Sequence, residues 1–398
     1  MRTMTAAEAA KRLGVKVETV YAYVSRGVLR STRALDSRSS LFDAADVEAI
    51  ALRGRPRRVS RRLTFEVEID THLTEIDGHA LRFRGHDAVE LATSATFEQV
   101  AELLWTGALP GPAVGSWAAV PLAVPSGGSL GDRLRLAVDV AAMGDPSRGD
   151  LRPEAVAACG RSMIASVVES MPLSGDGRTP RLVLRDGVAR RGTVAGRLWT
   201  RLATVRARPE LVAVLNAALV LMVDHELAAS TFAARIAASV RADPYAVVGA
   251  GLGPMSGPLH GRASRAARQM LDAAMLPGGA LAATAEVLRV QGRYPGFGHP
   301  LYVDGDPRAR AMLELHRRAV GGSREMAVVD EVVAAAQRRA PIHPNVDFSV
   351  AALGLATGMP DDAGEIVFTV ARMAGWKSLP MVQRYVCGAR TDLAIEQY

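Results

Sequence analysis

From Asp87 onward this 398-residue chain is patterned almost wholly as helix, and that run limits its fold more than any other feature. The breaks fall at Gly107 to Gly115, Pro121 to Gly131, Gly144 to Asp150 and Pro172 to Pro180. Aromatic residues are only 5% of the chain while Ala, Leu and Val abound, a balance that favours helix over sheet. Hydrophobic residues make up 49%, enough for a large core, and the length is too great for one small domain. No motif recurs at a solenoid-like period. The expected class is mainly α, in more than one domain.

Several classes drop out early. Two cysteines, Cys159 and Cys387, cannot build a disulfide framework or a multi-cysteine zinc site; they read as small buried hydrophobes in a reducing cytosol. Met1 to Ala10 holds an acidic residue and no apolar segment, so it does not read as a signal peptide. The best apolar run, Leu211 to Val223, is interrupted by Asn216 and ends in Asp224-His225-Glu226, too short and too polar at its end for a membrane span. A soluble, cytoplasmic protein with no membrane partner is expected.

Charge is unevenly spread. Residues 1–62 hold 14 Lys/Arg against 6 Asp/Glu, a net of +8, whereas the whole chain carries +7, so the remainder comes to −1. A basic segment ahead of a near-neutral body fits a polyanion-binding module, or a solvated linker, since six of the arginines lie between Arg53 and Arg62. Thr5-Ala-Ala-Glu8 is a capping box that opens a helix over about 6–12, with Gly14 in the turn; a second helix is expected over 17–26, stopped by Gly27. Ala9, Ala10, Leu13, Val15, Val20 and Val24 would pack the pair together. A small β-wing follows from Val28 to Phe42, and Asp43 caps a third helix, Ala44 to Leu52. This order resembles the winged helix-turn-helix of the MerR and excisionase families, which implies a second helix in the major groove and a wing on the backbone. Thr19, Tyr21, Tyr23 and Arg26 are then the candidate base-reading side chains, with Arg30, Arg33 and Arg38 on phosphates. The alternative is a module that has kept this fold and serves as an interface. Residues 53–62 read as a basic linker, Leu63 to Asp70 as a strand, and Asp77-Gly78 as a hairpin turn.

Three histidines stand in notable settings. His225 lies in a helical, apolar stretch; His260 follows Gly257-Pro-Leu, and His299 follows Pro295-Gly-Phe-Gly298. Gly and Pro around the last two mark sharp turns or close backbone approach. Arg308, Asp347 and Arg372 come downstream. Three imidazoles, one candidate base and two guanidiniums suit acid–base chemistry on a dianionic small molecule, because arginine forks bind carboxylates bidentately.

The motifs Phe83-Arg-Gly-His-Asp87, Asp224-His-Glu-Leu-Ala-Ala-Ser-Thr-Phe-Ala-Ala-Arg235, Gly257-Pro-Leu-His-Gly261, Gly296-Phe-Gly-His299, Asp306-Pro-Arg308, Pro344-Asn-Val-Asp-Phe348 and Arg372 through Trp376 occur in this order. Together they resemble the citrate synthase family over roughly 65–385. The resemblance implies a two-domain, mainly helical homodimer with a cleft active site, a large domain of 63–261 and 356–398, and a small domain of 262–355. It implies condensation of acetyl-CoA, or of propionyl-CoA to 2-methylcitrate, with oxaloacetate. Asp347 resembles the base, His260 the group that stabilises the enol, and His299 the group that polarises the ketone. His225, Arg308 and Arg372 resemble oxaloacetate contacts, and Pro295, Gly296, Phe297 and Gly298 a CoA-binding loop. No cofactor or metal is implied beyond the CoA thioester as substrate.

The chain departs from the family pattern at Pro300, Val303, Arg262 and Ser264, and its last segment has Arg384 where an Arg-Pro-Arg motif is usual. A second reading is a regulator in which this domain senses oxaloacetate or acyl-CoA and the first 52 residues bind DNA. Three other motifs read as incidental. The glycines of Val247 to Gly253 lack a third Rossmann glycine and read as a loop; Gly127-Gly-Ser129-Leu-Gly131 is not a nucleophile elbow; HExxH fails at Ala229.

Overall fold

The computed structural model describes residues 3–25, 28–33, 40–52, 71–112, 115–175, 177–225 and 227–376. The expected strand at 63–70, the linker, Arg26, Arg38, Cys387 and Arg384 lie outside them.

The N-terminal module runs β1 (Thr3–Thr5), α1 (Ala6–Leu13), α2 (Val17–Ser25), β2 (Ser31–Arg33), β3 (Ser40–Asp43) and α3 (Ala44–Leu52). The capping box is formed: Glu8 N–H donates to Thr5 Oγ1 at 3.3 Å, and Thr5 N–H donates to the Glu8 carboxylate at 2.8 Å. Asp43 accepts from Ala45 N–H at 2.8 Å and starts α3 as expected. The wing hairpin gains an unforeseen strand, because β1 pairs antiparallel with β3 and the sheet order is β1-β3-β2. Ala9, Ala10, Val20, Tyr23, Leu29, Phe42, Val47 and Ile50 form the module's core. Arg12 pairs with Glu48 at 2.6 Å and fastens α1 to α3.

The body begins with a sheet of β4 (Thr74–Ile76), β5 (Leu81–Phe83) and β6 (His86–Asp87), whose hairpin turns at Asp77-Gly78 as expected. Asp87 then caps α4 (Ala88–Ser94), followed by α5 (Phe97–Thr106), α6 (Leu130–Gly144) and α7 (Pro153–Ser170). Between α5 and α6 no helix lies among the described residues, so the two breaks expected there run together. Beyond the fourth break, which ends at Pro180, lies a small hairpin, β7 (Leu182–Val183) with β8 (Ala189–Arg190), closed by an Arg190–Asp186 ion pair. Then come α8 (Val194–Leu202), α9 (Pro209–Leu221), α10 (Ala229–Ser239) and α11 (Pro244–Met255). The chain continues through α12 (Ala263–Ala274), α13 (Gly279–Gln291), α14 (Pro307–Val320), α15 (Arg324–Gln337), α16 (Val346–Thr357) and α17 (Ala363–Trp376).

Helix α9 is buried nearly all round, which is why its sequence is apolar on every face. Its one polar interruption has a structural task. Asn216 Oδ1 accepts from Phe97 N–H at 2.9 Å and its Nδ2 donates to Ala95 O at 3.0 Å, tying α9 to the α4–α5 junction. Two apolar clusters organise the body. The larger spans α4 to α11 and α17; the smaller joins α12, α13 and α15. Helix α16 serves both, with Val346, Val350 and Leu353 in the larger and Phe348, Ala351 and Ala352 in the smaller. Among the described residues no helix is long and apolar enough to cross a membrane.

Three sequence expectations are corrected. The glycines at 249, 251 and 253 are not a loop but lie within α11; a Cβ on Gly251 would sit 2.8 Å from the Trp376 ring, so glycine admits α17 against α11. His225 is not helical: it lies in the break between α9 and α10. Cys159 is only partly buried, against the edge of the larger core. Ser129 is the N-cap of α6, with its hydroxyl bonded to Asp132 at 2.7 Å, which accounts for the hydrolase-like spelling there.

Candidate active site and helix-turn-helix module

Helix α9 ends at Leu221, and the turn after it carries Asp224 and His225 inward. Asp224 accepts a hydrogen bond from Thr74 Oγ1 and lies 3.6 Å from the Arg372 guanidinium. Arg372, on α17, is 2% exposed, donates to Thr231 Oγ1 at 3.3 Å and sits over the Phe368 ring at 5.1 Å. Burial pulls this guanidinium down to about 10 despite Asp224.

Arg308 occupies the first turn of α14, buried, with a bidentate grip on Asp306 at 2.9 and 2.8 Å. Asp306 also accepts from Val346 N–H at 3.0 Å, so one carboxylate joins the start of α14 to the start of α16. Burial works against the Asp306 carboxylate, but Arg308 outweighs it and holds it below its usual range. Asp347 stands one residue further along α16. Burial pushes its carboxyl up to about 6, with Arg308 drawing it down and Asp306 adding to the rise.

The Pro295–Gly298 loop is stapled to the approach of α16. Asn345 N–H donates to Gly296 O at 2.8 Å, Gly298 N–H to His343 O at 2.8 Å, and Asn345 Nδ2 to Gly298 O at 3.0 Å. Gly296 has φ +77°, and a Cβ there would meet Phe348 Cβ at 2.8 Å. Phe297 packs its ring on Phe348 at 4.9 Å. These contacts fix His299 relative to Asp347.

The three histidines are all held neutral. His299 is pushed down to about 4 by burial and Arg308; its Nδ1 accepts from Leu301 N–H at 3.2 Å, which leaves its proton on Nε2. His260 is likewise pushed down to about 4 by burial and Arg372; its Nε2 meets Ser230 Oγ at 2.7 Å. His225 is driven far below its usual value by burial, then by Arg308 and Arg372, and its Nε2 meets Tyr302 OH at 3.1 Å. The His225 and His299 rings meet edge-on at 5.1 Å.

All ten residues expected at the reaction centre and the CoA loop line one cavity of about 350 Å³: His225, His260, Pro295, Gly296, Phe297, Gly298, His299, Arg308, Asp347 and Arg372. Sequence reasoning missed Tyr302, which touches His225, lies tilted against the His299 ring at 4.8 Å and underlies Arg308 at 5.5 Å. It also missed Ser230 and Phe368 beside His260. Ser230 lies within the Asp224–Arg235 motif but was given no role there; no motif marks Tyr302 or Phe368, and only the fold brings them to the site. Among the described residues no group of His, Cys, Asp and Glu is arranged to hold a metal ion.

In the N-terminal module, Tyr21 is 46% exposed, Thr19 is partly exposed and Arg30 is exposed. Arg33 stands in β2. Tyr23 is corrected: it is 6% exposed and belongs to the module's core, because Val20, Tyr23 and Val24 share the inward face of α2.

The chain is 29% identical over 341 residues to citrate synthase 2 of Bacillus subtilis, covering 80% of this chain and 90% of that protein. It is also 29% identical over 342 residues to a citrate synthase of Acidithiobacillus ferridurans, covering 76% and 86%. Its fold matches the citrate synthase of Thermoplasma acidophilum, solved in ternary complex with carboxymethyl coenzyme A and oxaloacetate. That match has a TM-score of 0.64 at 21% identity, over 84% of this chain and 96% of that one. Residues 3–61 match the helix-turn-helix domain model. Residues 64–119 and 122–385 match the model of the citrate synthase C-terminal domain, and the chain therefore belongs to the citrate synthase family.

Proposed function

We propose that this chain condenses acetyl-CoA, or another short acyl-CoA, with oxaloacetate and then hydrolyses the product thioester. The observation that carries the reading is one cavity that combines a carboxylic acid held at about 6, neutral imidazoles and two buried guanidiniums. Asp347, ionised at neutral pH, takes a proton from the carbon next to the thioester carbonyl. That carbon is far less acidic than a carboxylic acid, so the developing enolate oxygen needs a donor, supplied by the His260 ring. In this reading the Ser230 hydroxyl, 2.7 Å from His260 Nε2, donates to it, so that the neutral ring carries its proton on Nδ1. The enol carbon attacks the ketone carbon of oxaloacetate while His299 Nε2–H donates to the ketone oxygen. His225, Arg308 and Arg372 hold the oxaloacetate, and Pro295 to Gly298 lie against the CoA arm. Water then cleaves the thioester, which releases CoA and the tricarboxylate. Movement of the lobe built on the smaller core would exclude water during condensation. We assign this activity to a cytoplasmic homodimer that uses no cofactor besides its CoA substrate.

The acyl group is open between acetyl and propionyl, since one methylene is worth only ~1–3 kcal/mol of discrimination. The deciding assay is CoA release from acetyl-, propionyl- and butyryl-CoA with oxaloacetate. Release should depend on oxaloacetate and fall about 10²- to 10⁴-fold in Asp347→Ala, and the fastest substrate identifies the reaction. A folded protein that releases no CoA from any of the three refutes the synthase. A second reading, a DNA-binding regulator that senses these ligands, is favoured by the basic first 62 residues and by Tyr21 and Arg30 on the module's surface. It leads us to expect DNA retention on a gel that weakens steeply with salt.

A further inference from the structure

The sheet at the start of the body reaches the candidate active site through one side chain. Thr74 opens β4, and the alternation that leaves Glu75 exposed turns Thr74 inward, where it is 9% exposed. Its hydroxyl donates to Asp224 Oδ2, 150 residues away in sequence. Among the described residues it is the one hydrogen-bond donor to that carboxylate. The other oxygen, Oδ1, lies 3.6 Å from the Arg372 guanidinium. Asp224 and Arg372 are each 2% exposed. A charge pair this deep is sensitive to geometry, because neither member has bulk water to replace a lost partner.

The main chain around the pair is fixed by other contacts. A Cβ on Gly375 would lie 2.2 Å from Val223 O and 3.5 Å from Asp224 Cβ, so the turn after α9 packs directly on α17. Trp105 Nε1 donates to Ala374 O at 2.9 Å and ties α17 to α5. On the strand side, Arg84 N–H donates to Leu73 O at 2.8 Å, next to Thr74. These contacts set where Asp224 stands but not which way its carboxylate turns. The guanidinium offers that carboxylate an alternative, since Arg372 Nε is buried with no hydrogen-bond partner among the described residues. We propose that Thr74 is a positioning residue for Arg372. By holding Asp224 Oδ2, it keeps the carboxylate beside the guanidinium without letting it close, and leaves donors for a dianion in the cavity that Arg372 lines. Without the hydroxyl, the carboxylate takes its missing hydrogen bonds from Arg372, and the fork that would grip substrate is occupied within the wall. The assignment rests on the function proposed above, which gives Arg372 to oxaloacetate.

The test is steady-state CoA release by the full chain and by its Thr74→Val and Thr74→Ser variants, with oxaloacetate and the acyl-CoA varied in turn. Valine keeps the branched shape and strand preference of threonine and replaces the hydroxyl with a methyl. Thr74→Val should raise KM for oxaloacetate about tenfold, while kcat and KM for the acyl-CoA move less than about twofold. Thr74→Ser should restore the parent's KM. In an Asp224→Asn background the valine should add less than about twofold, because the hydroxyl acts through that carboxylate. An unchanged KM for oxaloacetate in Thr74→Val overturns the assignment. A loss confined to kcat, or a serine variant as impaired as the valine one, marks a merely structural role and overturns it too. Should the valine variant not fold, Thr74→Ala is judged by the same KM. A parent that releases CoA and is matched by Thr74→Val sinks this inference alone; a parent that releases none refutes the synthase and this assignment with it.

Discussion

Asp347 can accept a proton only when ionised, and burial holds its carboxyl at about 6. The neighbouring His260 and His299, at about 4, stay neutral through the same interval. Oxaloacetate-dependent kcat/KM should therefore be flat near neutrality and fall about tenfold per pH unit below about 6. A rate profile from pH 5 to 8 checks this, and an inflection shifted down to the ordinary carboxylate range would contradict it. At this scale the sequence was informative where motifs cluster. His260, His299, Arg308, Asp347 and Arg372 each sit in a short, unusual spelling, and all reach one cavity. It was uninformative where identity depends on which face a residue takes. Tyr23 looks like a surface aromatic beside Tyr21, yet two residues on, at the opposite side of the helix, it turns into the core. Tyr302 carries no signal until the chain folds His225 and His299 around it.

Helices α11 and α17 meet where Gly251 faces the Trp376 indole. Arg372 stands one turn before Trp376, so this contact helps set the depth of the Arg372 guanidinium. Gly251→Ala gains helix propensity but places a methyl 2.8 Å from the ring, and the overpacking should win. A net loss of about 1–3 kcal/mol is expected, read from the denaturant midpoint, together with weaker oxaloacetate binding. An unchanged midpoint would mean that α17 shifts freely. The glycines of α11 were misread as a loop because spacing alone cannot distinguish a glycine that turns the chain from one that admits a neighbour. His225 failed for the opposite reason: its apolar surroundings continue the pattern of α9 past the point where the helix stops at Leu221. Helix caps were the most legible local signals. The capping box at Thr5 and the cap at Asp43 each begin a helix through contacts within four residues.

Across the whole molecule, neutral buried histidines set the response to acid. His316, on α14, is 1% exposed, neither ring nitrogen has a hydrogen-bond partner among the described residues, and burial pushes it down to about 4. Between the unfolded value of about 6.5 and that folded value, the unfolded chain binds the proton and the native chain does not, so stability falls as pH falls. For His316 the full loss is on the order of 3 kcal/mol. His260 and His299 act in the same direction, whereas Asp347, raised to about 6, acts in the opposite one. His316→Leu should flatten the decline in unfolding free energy between pH 7 and pH 5, and a variant with the parent's slope would refute this assignment. Large-scale organisation was legible because helical pattern, charge segregation and motif order are properties of long stretches. The merged break before α6 and the β1 strand were not, because both depend on partners distant in sequence. One consequence concerns how substrate arrives. Both guanidiniums of the candidate site already face carboxylates, Arg308 against Asp306 and Arg372 against Asp224, and the chain beyond residue 62 carries a net of only −1. Such a centre projects little field into solution, so a dianion is not drawn in from a distance and its capture should vary only weakly with ionic strength.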